Sequence, residues 1–200
     1  NTTEIWKDLS GKGRDGTLKN TTAILAWNEN GMKFDGEDDF VLIAQMDYAN
    51  PTLEVVMSQD ELDSEIASII GNVESGGYEI AKGRTSFMTF NAFIVEENAY
   101  ISISEGPLQV NKKCSISATY NGKRITNRVN SEYKYVEENR TMGFPANNTH
   151  MVLGANPTGT TINTGDYRQA FKGSIYSARV YSRALTDEEQ AVNYLADIER

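Results

Sequence analysis

Glu61, Asp63 and Glu65 stand at alternate positions in "SQDELDSEIAS", residues 58–68. On a β-strand, residues two apart project from one face, so three carboxylates at this spacing would point together into a single cleft. Two carboxylates flanking a glycosidic bond are what its hydrolysis needs: one protonates the leaving oxygen, the other attacks the sugar or activates water. The chemistry also needs buried apolar residues at the intervening positions, so that the carboxylates are fixed and their environments push their pKa values apart. Here the intervening residues are Leu62 and Ser64, and Ser64 anchors nothing in a core. The triplet follows directly on Ser58, Gln59 and Asp60 and precedes "IASIIGN", which places it in a connection between two strands. A charged run in a loop is ordinarily solvated surface. No catalysis is expected from Glu61, Asp63 and Glu65; a glycoside hydrolase is the alternative that a regular strand here would revive.

Other catalytic arrangements have little to draw on. Cys114 is the only cysteine, so no disulfide forms within the chain and no zinc site can be built from thiolates. In "KCSISATY" it alternates in step with Ile116, Ala118 and Tyr120, the pattern of a buried, inert thiol on the core side of a strand. His150 is the only histidine, and no nucleophile motif accompanies it. The formal net charge of −9, with scattered Lys and Arg, argues against a nucleic-acid partner. No apolar run approaches the roughly 18 residues of a membrane helix, so no membrane insertion is expected. A starting Met and a signal peptide are both missing, which suggests a piece of a longer protein.

The elements that must position any site are short strands. Sixteen glycines, four prolines and many short apolar runs broken by turn residues point that way. "GMKFDG", "DFVLIA", "TLEVVM", "ASIIGN", "GYEIAK", "SFMTFN" and "AYISISE" read as strands, as do "HMVLGAN" and "GSIYSARVYS". "CSISATYNGKRITNRV" reads as a hairpin turning at Asn121-Gly122, a pair that supplies positive φ angles. About ten to twelve short strands at this spacing indicate an all-β, two-sheet antiparallel β-sandwich, with residues 1–200 as one domain. The chain closes with a helix over about 186–199: Thr186 is placed to cap it, Glu189 to complete a capping box, and Ala191, Val192, Leu195 and Ile198 to form an apolar stripe lying on the sandwich.

"FKGSIYSARVYSRALTDEE" resembles the closing strand and helix of laminin G-like domains, within the concanavalin A-like lectin and glucanase superfamily. "WKDLSGKGRDGTL", "MKFDGEDDFV", "IIGNVESGGYEI" and "SATYNGKRI" fall in the order this resemblance requires. It implies a jelly roll of two curved sheets, and a non-catalytic carbohydrate-binding or adhesion module belonging to a larger secreted, cell-surface or phage-tail protein. The same superfamily contains endo-β-glucanases with Glu-x-Asp-x-Glu strands, which keeps hydrolysis by Glu61, Asp63 and Glu65 as one alternative. A structural spacer that binds no glycan is another. In modules of this kind an aromatic ring meets the apolar face of a sugar while polar side chains meet its hydroxyls. The outward positions of the hairpin, Ser115, Ser117, Thr119, Arg124, Thr126 and Arg128, would form such a groove, with Tyr100, Tyr133 and Tyr135 as the aromatics beside it. The ligand set expected on this reading is Tyr100, Arg124, Arg128, Tyr133 and Tyr135, and the partner a glycan or surface polysaccharide. The resemblance also implies a structural calcium near the chain start, for which Asp8, Asp35, Asp38 and Asp39 lie in suitable glycine-containing loops. The Asn-x-Ser/Thr triplets at Asn1, Asn20, Asn139 and Asn147 read as turns.

Overall fold

The computed structural model describes residues 4–21, 26–27, 31–62, 65–73, 76–84, 87–137, 141–143, 149–157 and 167–198. Its strands are, in chain order, β1 (Ile5–Trp6), β2 (Gly16–Lys19), β3 (Met32–Asp35), β4 (Phe40–Leu42), β5 (Thr52–Gln59), β6 (Ala67–Gly71), β7 (Tyr78–Lys82) and β8 (Met88–Ile94). Then come β9 (Ala99–Glu105), β10 (Cys114–Tyr120), β11 (Arg124–Val129), β12 (Glu132–Glu137), β13 (Val152–Leu153), β14 (Asn156–Pro157), β15 (Tyr167–Arg168) and β16 (Lys172–Tyr181). The helix α1 (Asp187–Ile198) follows.

Two antiparallel sheets face one another. One runs β1-β2-β4-β13-β6-β7-β8-β9 and the other β12-β11-β10-β5-β16-β3, while β14 and β15 pair separately. Strand alternation builds the core between them. Leu53, Val55 and Met57 of β5 point inward, as do Tyr78 and Ile80 of β7 and Cys114, Ile116 and Ala118 of β10, all at most 8% exposed. Removing such side chains from water contributes about 1.5–3 kcal/mol each for the larger ones. Asn127, at an inward position of β11, ties the sheets together: its Nδ2 donates to the carbonyls of Met88 (2.9 Å) and Ile103 (3.1 Å) on the other sheet.

The β10–β11 turn differs in detail from the sequence reading. Only Gly122 takes a positive φ (+89°), while the Asn121 side chain accepts hydrogen bonds from the amides of Lys123 and Arg124. Asn20 has φ +63°, the left-handed turn conformation that short polar side chains tolerate; Asn1, Asn139 and Asn147 lie outside the described residues.

The helix starts as its sequence requires but docks the other way round. Thr186 Oγ1 accepts from the Glu189 amide at 3.2 Å and Glu189 Oε2 accepts from the Thr186 amide at 2.9 Å, a complete capping box. The expected apolar stripe, however, faces solvent: Val192 is 65% and Leu195 52% exposed, and Ala191 is only partly buried. The side chain of Ile198 lies outside the described set. The buried face is polar. Gln190 accepts from Ser117 Oγ (2.9 Å), Asn193 donates to Glu54 (2.9 and 3.1 Å), and Asp197 accepts from Ser115 Oγ (3.2 Å) and from Arg179 on β16. The physical reason is the partner surface. The outer face of β10, β5 and β16 presents hydroxyls and charges, and a helix covering it must supply their hydrogen-bond partners.

Candidate functional site

The acidic triplet has no strand to carry it. β5 ends at Gln59 and β6 begins at Ala67, so Glu61 and Glu65 lie in the connection, as the sequence implies; Asp63 is outside the described residues. Glu61 is exposed and pairs with Lys172 Nζ at 3.2 Å. Leu62, which a catalytic strand would bury, is 45% exposed.

The expected groove on the hairpin is not open. Ser115, Ser117, Thr119, Thr126 and Arg128 are all at most 9% exposed, and α1 covers Ser115 and Ser117 directly. Arg124 turns to the helix, its Nη2 3.3 Å from Asp187 Oδ2. Tyr100 stands on β9, in the opposite sheet, where its hydroxyl bonds the backbone N–H (3.0 Å) and carbonyl (2.7 Å) of Gly76 and its ring meets Phe93 edge-on at 5.1 Å. It therefore does not share a groove with Arg124 and Arg128. Tyr133 and Tyr135 pair in register with Arg128 and Thr126 at the sheet edge; their side chains are outside the described set. Cys114 is core, its thiol pushed up to about 12 by burial, and Sγ lies 3.3 Å from Met57 Sδ.

Of the four aspartates expected to hold calcium, three come together. Asp35, Asp38 and Asp39 carry carboxylate oxygens all within 4.8 Å of one another in the β3–β4 loop. Asp39 is 7% exposed, and burial, then the charges of Asp35 and Asp38, raise its pKa to about 6. A buried carboxylate crowded by two others suits a divalent cation, which takes oxygen ligands from such loops. Asp8 belongs to a different loop. It accepts from the amides of Ser10 (2.8 Å) and Arg14 (2.9 Å), and these bonds, with the Ser10 hydroxyl foremost, lower its pKa to about 2.

The feature that motif reading missed is a cleft of about 390 Å³ at one end of the sandwich, between the sheets. Gln59 and Lys82 form its floor. Each is the last residue of its strand and each keeps the inward parity of the core residues before it, Met57 and Ile80. Both are buried, at 1% and 4% exposed. Neither Nε2 nor Oε1 of Gln59 has a hydrogen-bond partner, and an unmet buried polar group costs about 1–3 kcal/mol. The Glu61–Lys172 pair, Glu65, Arg84 and Arg168 stand around the opening, with Glu37 from the same loop as the aspartate cluster. Gly173 is required here: a Cβ would stand 2.2 Å from the Ser58 carbonyl oxygen and 3.0 Å from Gln59 Cα, which seats β16 tightly against the end of β5. The signal that could have revealed the floor is parity, a polar residue closing an otherwise apolar inward row.

An all-β sandwich with a polar end cleft is the class of architecture these observations define. No protein-family model matches the sequence, and no curated protein does. Among solved structures, a botulinum neurotoxin serotype D binding domain superposes with a TM-score of 0.70 at 16% identity, over 96% of this chain and 48% of that one. The HCR/D W1238A mutant gives 0.73 at 16% identity, over 96% and 48%. Trypanosoma rangeli sialidase in complex with sialic acid gives 0.67 at 14% identity, over 99% of this chain and 32% of that one. The chain thus spans about half of the first two structures and a third of the last. At these identities the likeness is one of fold.

Proposed function

We propose that this chain is a non-catalytic carbohydrate-binding module of laminin G-like type, a part of a larger secreted, cell-surface or phage-tail protein, and that it takes its glycan in the end cleft. The observation that carries this reading is Gln59. A buried amide with an unused donor and an unused acceptor, at the floor of an opening of sugar size, is a cost to the fold that a polyhydroxylated ligand offsets. Similarity to structures titled as a binding domain and as a sialidase bound to sialic acid supports a glycan partner at a coarse level. Asp35, Asp38 and Asp39 would hold calcium beside the cleft, since Gly36 and Glu37 of the same loop form part of its wall. The ion would supply charge neutralisation that stiffens this wall; no chemical step passes through it.

One observation favours a second reading. Glu61 and Glu65 both stand on the cleft wall, where two carboxylates could serve hydrolysis. Against it stand the Lys172 pair and the irregular backbone. A glycan-array screen of the chain, with and without calcium, tests the module; a blank array in both conditions refutes it. Incubation with β-glucan tests the enzyme: the wild type is expected to release no reducing ends, and turnover abolished by Glu61→Gln or Glu65→Gln would replace binding with catalysis.

A further inference from the structure

We infer that the end cleft selects an uncharged sugar and grips it at a pair of adjacent hydroxyls, one donating to Gln59 Oε1 and the other accepting from Gln59 Nε2; this rests on the glycan-binding reading above. The charges of the cleft are already engaged. Glu61 on its wall holds Lys172 Nζ at 3.2 Å. Lys82 at the floor, and Glu65 and Arg168 at the opening, each have a partner within the protein. Arg84 and Glu37 are exposed groups of opposite sign at the rim. An ionic ligand would have to leave water and displace one of these contacts, and a charge taken out of water without a ready partner is costly.

What the cleft lacks is uncharged. Among the described residues lining it, the buried side-chain atoms with no hydrogen-bond partner are Nε2 and Oε1 of Gln59, a residue 1% exposed. The two atoms of a primary amide project side by side, donor beside acceptor, which is how a glutamine engages two neighbouring atoms at once. A matching ligand presents an acceptor next to a donor and brings no charge. Adjacent sugar hydroxyls that are gauche to one another do this, because each hydroxyl both donates and accepts. Adjacent hydroxyls that are both axial diverge and do not. A trans amide such as an acetamido group directs its N–H and C=O to opposite sides, and so meets only half of Gln59. Ala67, Ala170 and Phe171 line the same cleft and give it apolar surface for the C–H faces of a pyranose.

The experiment is calorimetric titration of the whole chain with cellotriose, mannotriose and galactotriose, each against the uronic acid trimer of the same sugar, and with lactose against sialyllactose. At least one neutral member is expected to bind, and its acidic counterpart to bind at least about tenfold more weakly. The neutral affinity should stay within about twofold from low to high salt, since no ion pair with the ligand is there to be screened. Monodeoxy forms of the neutral sugar that binds should lose about tenfold at each of two adjacent carbons and little elsewhere. Gln59→Leu is expected to lose about tenfold or more in neutral affinity. It should also melt no lower than the wild type, because it removes two unmet polar atoms from a buried site. An acidic member that binds as tightly as its neutral counterpart, or a neutral affinity that falls with salt, overturns the uncharged assignment and leaves glycan binding standing. Losses at a single carbon or at carbons that are not adjacent overturn the grip on a hydroxyl pair. Unchanged affinity or lowered melting in Gln59→Leu overturns the role of that residue as a ligand group, and failure of every sugar to bind overturns the glycan reading itself.

Discussion

Two substitutions two residues apart on α1, one on its exposed face and one on its buried face, decide how the helix is held. Leu195→Ala removes the largest exposed apolar side chain near the end of α1, and Asp197→Ala removes a carboxylate 5% exposed. By residue type the leucine would be the costly one. The contacts say otherwise. Asp197 accepts from Arg179 Nη1 at 3.0 Å, from Arg179 Nη2 and from Ser115 Oγ at 3.2 Å, and Arg179 also reaches Glu54 Oε2 at 3.4 Å. Deleting one partner of a buried, hydrogen-bonded ion pair costs about 3–5 kcal/mol, because the other charge stays behind without it. Glu54 offers Arg179 a remaining partner, so the lower end of that range is expected for Asp197→Ala. Leu195 is 52% exposed, and truncation at such a site shifts stability by less than about 0.5 kcal/mol. Equilibrium urea unfolding followed by circular dichroism reads both, and amide exchange in α1 separates local undocking from global unfolding. A Leu195→Ala loss as large as that of Asp197→Ala would refute polar docking.

At the other end of α1, Thr186→Ala removes the cap and is expected to cost about 1 kcal/mol in the same assay. Calcium at about a hundred times its dissociation constant should stabilise the fold by roughly 2.7 kcal/mol; Asp38→Asn with Asp39→Asn should remove the gain, and equal melting in calcium and in chelator counts against the ion. The Cys114 thiol should resist alkylation in the folded protein at pH 8. Its pKa rises from the ordinary 9.0 to about 12 through burial, so the unfolded chain ionises first and wild-type stability should fall, relative to Cys114→Ala, as pH climbs from 9 toward 12. A parallel pH profile for the two proteins would disprove the linkage.

Much of the sandwich was legible because period-two alternation is written locally. Leu53, Val55 and Met57, or Ile116, Ala118 and Tyr120, need no knowledge of their partners to be read as one inward row. β1, β2, β14 and β15, of two to four residues, lie outside the expected strands, and so does β12, whose six residues Glu132–Glu137 carry three charges that mask an inward row. The Thr186–Glu189 box was legible for the same local reason, since both ends of the interaction lie within four residues. Which face of α1 docks was not, because that depends on Glu54, Ser115, Ser117 and Arg179 gathering on one outer surface from three strands distant in sequence. The turning of Arg124 to Asp187, and with it the loss of the hairpin groove where α1 covers Ser115 and Ser117, follows from the same long-range event. The cleft likewise draws on five separate stretches, and only Gln59 and Lys82 leave a local trace.

β16 joins the six-stranded sheet between β5 and β3, so the pairing that seats Gly173 opposite Gln59 and Tyr181 opposite Thr52 joins stretches more than a hundred residues apart. β3 has β16 as its hydrogen-bonded neighbour in that sheet, and must wait for the same strand. Loop closure over such separations is slow. During synthesis, β5 leaves the ribosome with one long edge unpaired, displaying Val55 and Val56 to any passing strand, until residues 172–181 emerge. Phe171 and Lys172 arrive at the same moment, so the wall of the cleft is completed only when β16 docks.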